Sequence, residues 1–359
     1  MRTRFLAAAP LAVGAALLFA GGAQANGLPL HAVYTQTNSA AGNAVQVLSR
    51  GDDGGLTPAG TYATGGVGTS AGLGSQGAVA LSDDGRVLLA VDAGSNDIAS
   101  FHVERDGLRL VGRVPSRGVF PVSVTIHGRE AYVLNAGGVA NVAAFRLSRG
   151  GELTPRFGGR EPLSAPSTGA AQVAVSPDGS ALVVTEKATS QLETFPLRGG
   201  RPGDPVVTPS NGPTPFGFAF DPRGTAIVSE ATNSTASSYR LAADGGLQLV
   251  SASVPTLQGA ACWVAVTPDG RFAYTGNAAT GSITGFAIAA DGSLTRLAAD
   301  GRSASTPRPN DLAIAGGYLY AINPAVGTVT AYRIAPDGSL AALPSVTGLP
   351  TGLAGLAAA

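Results

Sequence analysis

The sequence predicts an all-β protein, a seven-bladed β-propeller of four-stranded antiparallel blades. Three observations carry that prediction: a recurring strand–turn unit, a hairpin turn that returns seven times, and a composition rich in glycine and poor in charge. Of 359 residues, 51 are glycine and 24 proline, 44% are hydrophobic and only 13% are charged. Many short strands joined by tight turns have this profile; helices do not. The length suffices for one large domain with a sizeable core.

The unit is clearest in Gln172-Val-Ala-Val-Ser-Pro-Asp-Gly179 and Trp263-Val-Ala-Val-Thr-Pro-Asp-Gly270. Each is an alternating strand that ends in an Asp-Gly turn, where glycine supplies positive φ. Variants run Val79 to Gly85 and Phe218 to Gly224, with looser copies from Val122 to Gly128 and Leu312 to Gly317. A second strand follows each turn, ending at Asp92, Asn135, Glu186, Glu230, Asn277 and Asn323. A third strand such as Ile283–Ile288 and a fourth such as Ser293–Leu297 complete a blade.

The turn between third and fourth strands occurs near Asp53, Asp106, Gly150, Gly199, Asp244, Asp291 and Asp337, so seven blades are expected. The first unit lacks a first strand and begins with Ala32–Asn38, while the tail Thr351–Ala358 reads as a first strand with nothing after it. The tail is therefore expected to complete the first blade and close the ring, leaving no free sheet edge between ends. Two connections between a fourth strand and the next first strand stand out by length, Thr61 to Gly77 and Arg156 to Ala171. Both belong on the face that also carries the loops between second and third strands, where a propeller binds ligands.

At the N-terminus, Arg2 and Arg4 precede an apolar run from Phe5 to Ala20 and a small-x-small site, Ala23-Gln24-Ala25. This reads as a signal peptide over residues 1–25, cleaved near Ala25, with the propeller domain spanning 26–359 and a secreted, extracellular location. The run is too short to span a bilayer, so no membrane insertion is expected. The formal net charge of zero offers no field for nucleic acid. Cys262 is the single cysteine, so no disulfide forms within the chain. No His or Cys cluster suggests zinc; no metal and no cofactor are expected, and the protein is expected to be a monomer.

A first strand ending Ser-Pro-Asp-Gly, an aromatic third strand and the run Asp291-Gly-Ser-Leu-Thr295 resemble the seven-bladed lactonase family, which includes 6-phosphogluconolactonase and 3-carboxymuconate cyclase. The likeness spans the mature chain from about His31 onward and is best over Gln172–Phe195 and Trp263–Leu297. It implies lactone hydrolysis or formation without a metal. It also implies, for the cyclase branch, a His acting with Arg and Glu. Thr168-Gly-Ala-Ala-Gln172 has no histidine at the matching place, and His31, His102 and His127 fall away from the ligand face, so no catalytic His is carried over.

Residues that break the repeat are the better functional candidates. Asn and Asp at the second-strand ends can close a turn onto their own backbone. Glu186 and Glu230 are too long for that, and Lys187, the sole lysine, follows Glu186 directly. A carboxylate beside an ammonium group on a concave face could polarise a lactone carbonyl or activate water, so Glu186, Lys187 and Glu230 are the catalytic candidates. The plainer alternative is a solvated ion pair of little consequence. Gln76, Gln172, Trp263, Asn310 and Asp311 precede or begin first strands and are the ligand-binding candidates. Phe120 and Phe216, at similar places, are expected to pack between blades, and Cys262 to be a small buried residue. The Gly-rich run Gly65–Gly74 lacks the lysine and helix of a phosphate loop. The expected function is a secreted lactonase-like enzyme acting on a small lactone or cyclic acid. The rival is a non-catalytic extracellular propeller that binds a protein, glycan or small ligand.

Overall fold

The computed structural model describes residues 31–359, so the expected leader lies outside the described residues. Seven antiparallel sheets form the ring, each with its first strand innermost. Blade 1 is the composite one: the tail strand Ala354–Ala358 lies inside Ala32–Gln36, followed by Ala44–Arg50 and Leu56–Ala63. Val33 pairs with Ala358 and Gln36 with Ala354, so the expected closure by the C-terminal strand is present.

The sequence motif explains the hairpins. In the turn after the inner strand of blade 4 (Ala170–Val175), the Gly179 N–H donates to the Ser176 carbonyl at 2.8 Å with φ of 72°. The Ser176 hydroxyl donates to Asp178 at 2.6 Å, and the Asp178 carboxylate also accepts from the Ser180 N–H. The equivalent Asp269 is drawn down to about 2, first by the Thr267 hydroxyl and then by Arg271. The Ser/Thr, Asp and Gly of Ser/Thr-Pro-Asp-Gly thus each serve the turn itself.

The core lies between blades. The aromatic residues of the third strands, Phe101, Phe145, Phe195, Tyr239, Phe286 and Tyr332, are at most 3% exposed. They pack with alternating Val, Leu and Ala of the neighbouring second strands, each ring joining a cluster at a blade boundary.

Two details differ from expectation and one agrees with it. The outer strand of blade 3 runs through a bulge at Arg156–Gly159 to Pro162, because two successive glycines take up the extra residues; the connection is only 163–169. The inner strand of blade 2, Val79–Leu81, begins where the sequence places it and is the shortest of the inner strands. Finally, several second-strand ends reach beyond their own turn. Asn38 donates to the Ala71 carbonyl, Asn135 to the Ser116 carbonyl, and Asn323 accepts from the Thr306 hydroxyl. These amides hold the connections that run between blades.

Candidate functional site

The connection 64–78 is a strap across the channel. It leaves the outer strand of blade 1 and enters blade 2, yet it bonds to four blades beyond. The Ser75 hydroxyl donates to the Val122 carbonyl of blade 3 at 2.8 Å, and the Gln76 N–H to the Ala171 carbonyl of blade 4 at 3.1 Å. On blade 6, the Gln76 amide donates to the Val264 carbonyl at 2.7 Å and accepts from its N–H at 2.9 Å. The Gly77 N–H donates to Asp311 of blade 7 at 3.2 Å. Only a segment lying over the ring axis reaches all of these. A Cβ at Gly217 of blade 5 would sit 2.0 Å from the Gln76 Oε1, so glycine is what lets the strap descend there.

Lys187 sits at the edge of this strap. Its ammonium group donates to the Gly74 carbonyl and lies 4.7 Å from the centre of the Phe216 ring. Phe216 meets Trp263 edge to face at 5.4 Å, and the Trp263 indole N–H donates to the Ser75 carbonyl at 3.0 Å. Burial holds the Lys187 pKa below its ordinary value. Burial likewise pushes the Cys262 thiol up to about 12, against the pull of Lys187, so the thiol is inert at neutral pH. Among the described residues Lys187 forms no ion pair with a carboxylate, Glu186 included. The expected Glu186–Lys187 couple is not made, and neither is its solvated alternative.

The structure therefore brings Gln76, Lys187 and Trp263 together around the strap, with Asp311 bonded to it and Gln172 next to the Ala171 carbonyl that the strap reaches. Gln172 clamps its neighbour blade, donating to the Phe218 carbonyl at 2.9 Å and accepting from the Phe218 N–H at 2.7 Å. Asp311 is wholly buried and accepts from the N–H groups of Gly77, Leu312 and Leu356; burial raises its pKa to about 7 against those bonds. Its carboxylate ties the strap to the strand that closes the ring. Asn310 is half-buried, its N–H donating to the Ile322 carbonyl at 2.9 Å.

Glu186 and Glu230 stand apart from this group, both 0% exposed within the rims of blades 4 and 5. Glu230 accepts from the Gly212 N–H at 2.8 Å and from the hydroxyls of Thr235, Ser237 and Ser253. Glu186 accepts from the Ser164 hydroxyl at 2.5 Å and the Thr189 hydroxyl at 2.7 Å, and the Ser164 N–H lies 3.3 Å from its carboxyl group and 3.3 Å from that of Glu193, which sets the two carboxyl groups side by side. In this arrangement each holds a chain segment and faces no open cavity.

Phe216 and Phe120 pack between blades as expected, and Cys262 is buried. The histidines lie toward the turn face: His31 contacts Arg50 at 3.1 Å, His102 pairs with Val87 at the start of a second strand, and His127 borders the turn at Gly179. Three participants escaped sequence reasoning. Gly74 and Ser75 act through backbone carbonyls, which carry no sequence signal. Glu193 had one: the residue seven after a second-strand end is Ser237, Thr284 and Thr330 in blades 5, 6 and 7, and Glu193 breaks that series.

Solved structures share the architecture. The periplasmic gluconolactonase of Pseudomonas aeruginosa is 19% identical with a TM-score of 0.75, covering 91% of this chain and 98% of that one. A candidate 6-phosphogluconolactonase of Bacteroides uniformis is 19% identical with a TM-score of 0.73, covering 92% and 99%. The streptogramin B lyase structure is more distant, at 14% identity and a TM-score of 0.58 over 80% and 87%. A search of the curated proteins finds no match. A family model described as lactonase, seven-bladed beta-propeller, matches residues 41–157 and 246–352, more than half of the chain, and the protein accordingly belongs to that family.

Proposed function

We propose that this chain is an exported lactonase-like hydrolase that opens a small lactone or related cyclic acid at the strap-covered mouth of the channel, without a metal ion. The observation that carries the reading is Lys187, an ammonium group set on an aromatic floor and paired with no carboxylate among the described residues. In lactone hydrolysis water adds to the acyl carbon, negative charge gathers on the former carbonyl oxygen, and the ring C–O bond then breaks to give a hydroxy acid. An ammonium group that exchanges the Gly74 carbonyl for that oxygen stabilises the charge where it develops. Partial desolvation strengthens the interaction, and the Phe216 and Trp263 rings offer apolar surface to the lactone ring. Glu186 and Glu230 serve this site indirectly, fixing the rim through Ser164 and Gly212. Export is proposed from the leader-like N-terminus.

The test is base uptake at constant pH over a panel of small lactones, with the wild-type protein and Lys187→Met. Turnover of at least one lactone is expected, with kcat/KM reduced at least about 100-fold in the variant, the size typical of losing one charge-stabilising donor. Undiminished turnover by Lys187→Met would remove Lys187 from the chemistry. The second reading, a non-catalytic binding propeller, is favoured by one observation: the nearby carboxylates are engaged and the histidines lie on the other face, leaving no free base at the mouth. Silence over the whole panel favours that reading.

A further inference from the structure

The carboxyl pair of blade 4 has no counterpart in blades 5, 6 and 7. Where those blades set Ser237, Thr284 and Thr330 against Glu230, Asn277 and Asn323, blade 4 sets one carboxyl group against another. Glu186 and Glu193 are both 0% exposed, and the Glu193 Oε1 has no hydrogen-bond partner. The Ser164 N–H lies 3.3 Å from an oxygen of each, so the pair grips the connection 163–169 from both sides.

Among the described residues no cation balances the two. Neither forms an ion pair, and the Lys187 ammonium is turned to the Gly74 carbonyl and the Phe216 ring. The connection 163–169, the outer strand Val206–Pro209 and the facing inner strand Pro215–Phe220 contain no ionisable side chain. Two like charges in such a place repel strongly, and a shared proton removes that repulsion with one hydrogen bond.

We propose that Glu186 and Glu193 form a one-proton latch on the connection 163–169, closed while the proton is shared and released when both carboxyl groups ionise. Burial and the neighbouring Glu186 hold the Glu193 carboxyl well above the ordinary carboxylate range, which puts release on the alkaline side. Release loosens Ser164 and Thr189, the latter two residues after Lys187 at the channel mouth. The inference goes beyond lactone hydrolysis and does not depend on it.

Hydrogen exchange on the full chain tests it, with rates corrected for the intrinsic effect of pH. Between about pH 6 and about pH 9, protection of residues 163–169 is expected to fall at least about tenfold, while residues 210–214, held by Glu230, change little. In Glu193→Gln the amide donates to Glu186 without a titrating proton, so protection persists at the higher pH; Glu193→Ser, which copies blade 5, is the second variant. Equal protection of 163–169 at both pH values in the wild-type protein overturns the latch. So does a loss in Glu193→Gln as large as in wild type.

Discussion

Glu186 and Glu230 end the second strands of adjacent blades, and both are fully buried, yet their surroundings differ in kind. Glu230 receives one N–H and three hydroxyls, enough to satisfy a carboxylate without a cation. Glu186 receives two hydroxyls and a weak N–H, then meets a second carboxyl group. The deciding residue lies seven positions on, Ser237 in one blade and Glu193 in the other. A buried acid is a strut or a titrating element according to the donors set against it, not according to its place in the repeat.

The comparison sharpens when buried carboxylates are removed in turn. Asp311→Ala should cost most, about 4 kcal/mol or more, because it strips three N–H groups at the point where strap and closing strand meet. Truncation from Pro350 onward removes that closing strand outright and should leave no cooperative unfolding transition. Glu230→Ala comes next, at about 3 kcal/mol, by orphaning four donors. Glu186→Ala should cost clearly less, since it also relieves the carboxyl contact. Urea denaturation measures all of these, and equal losses for Glu186→Ala and Glu230→Ala would erase the distinction between the blades.

A smaller effect follows from pH. Burial and the neighbouring Glu186 raise the folded Glu193 carboxyl, which keeps a proton that the unfolded chain has already released above the ordinary carboxylate range. The folded state therefore binds more protons across that window, and stability falls as pH rises through it until the pair ionises. Glu193→Gln should flatten this slope and be the more stable protein at about pH 9, by about 1 kcal/mol. Thermal unfolding of both proteins over a pH series measures it, and parallel slopes would place the dependence elsewhere.

The blades were legible in the sequence because the turn chemistry repeats. Ser176, Asp178 and Gly179 each have a local task, and local tasks leave residue signatures. The closing strand was legible for a related reason, as a first strand without a partner. The site was legible only in part. Lys187, which broke the repeat, and Gln76, Trp263 and Asp311, chosen for their place at the start of first strands, do gather at the strap. What joins them is backbone: Gly74 and Ser75 act through carbonyls, and no residue pattern announces a segment that crosses a channel. Glu186 and Glu230 also broke the repeat, but whether a buried acid faces a cavity depends on strand register and on side chains seven residues away.

The functional account turns on whether the strap-covered mouth, with Lys187 at its edge, is where a lactone is opened. Initial rates of lactone hydrolysis for wild type, Lys187→Met and Glu230→Gln, each checked for folding by circular dichroism, test this most directly. The account predicts turnover by wild type and by folded Glu230→Gln, with near-complete loss in Lys187→Met. Full activity in Lys187→Met, or no activity toward any lactone in the wild-type protein, would contradict it.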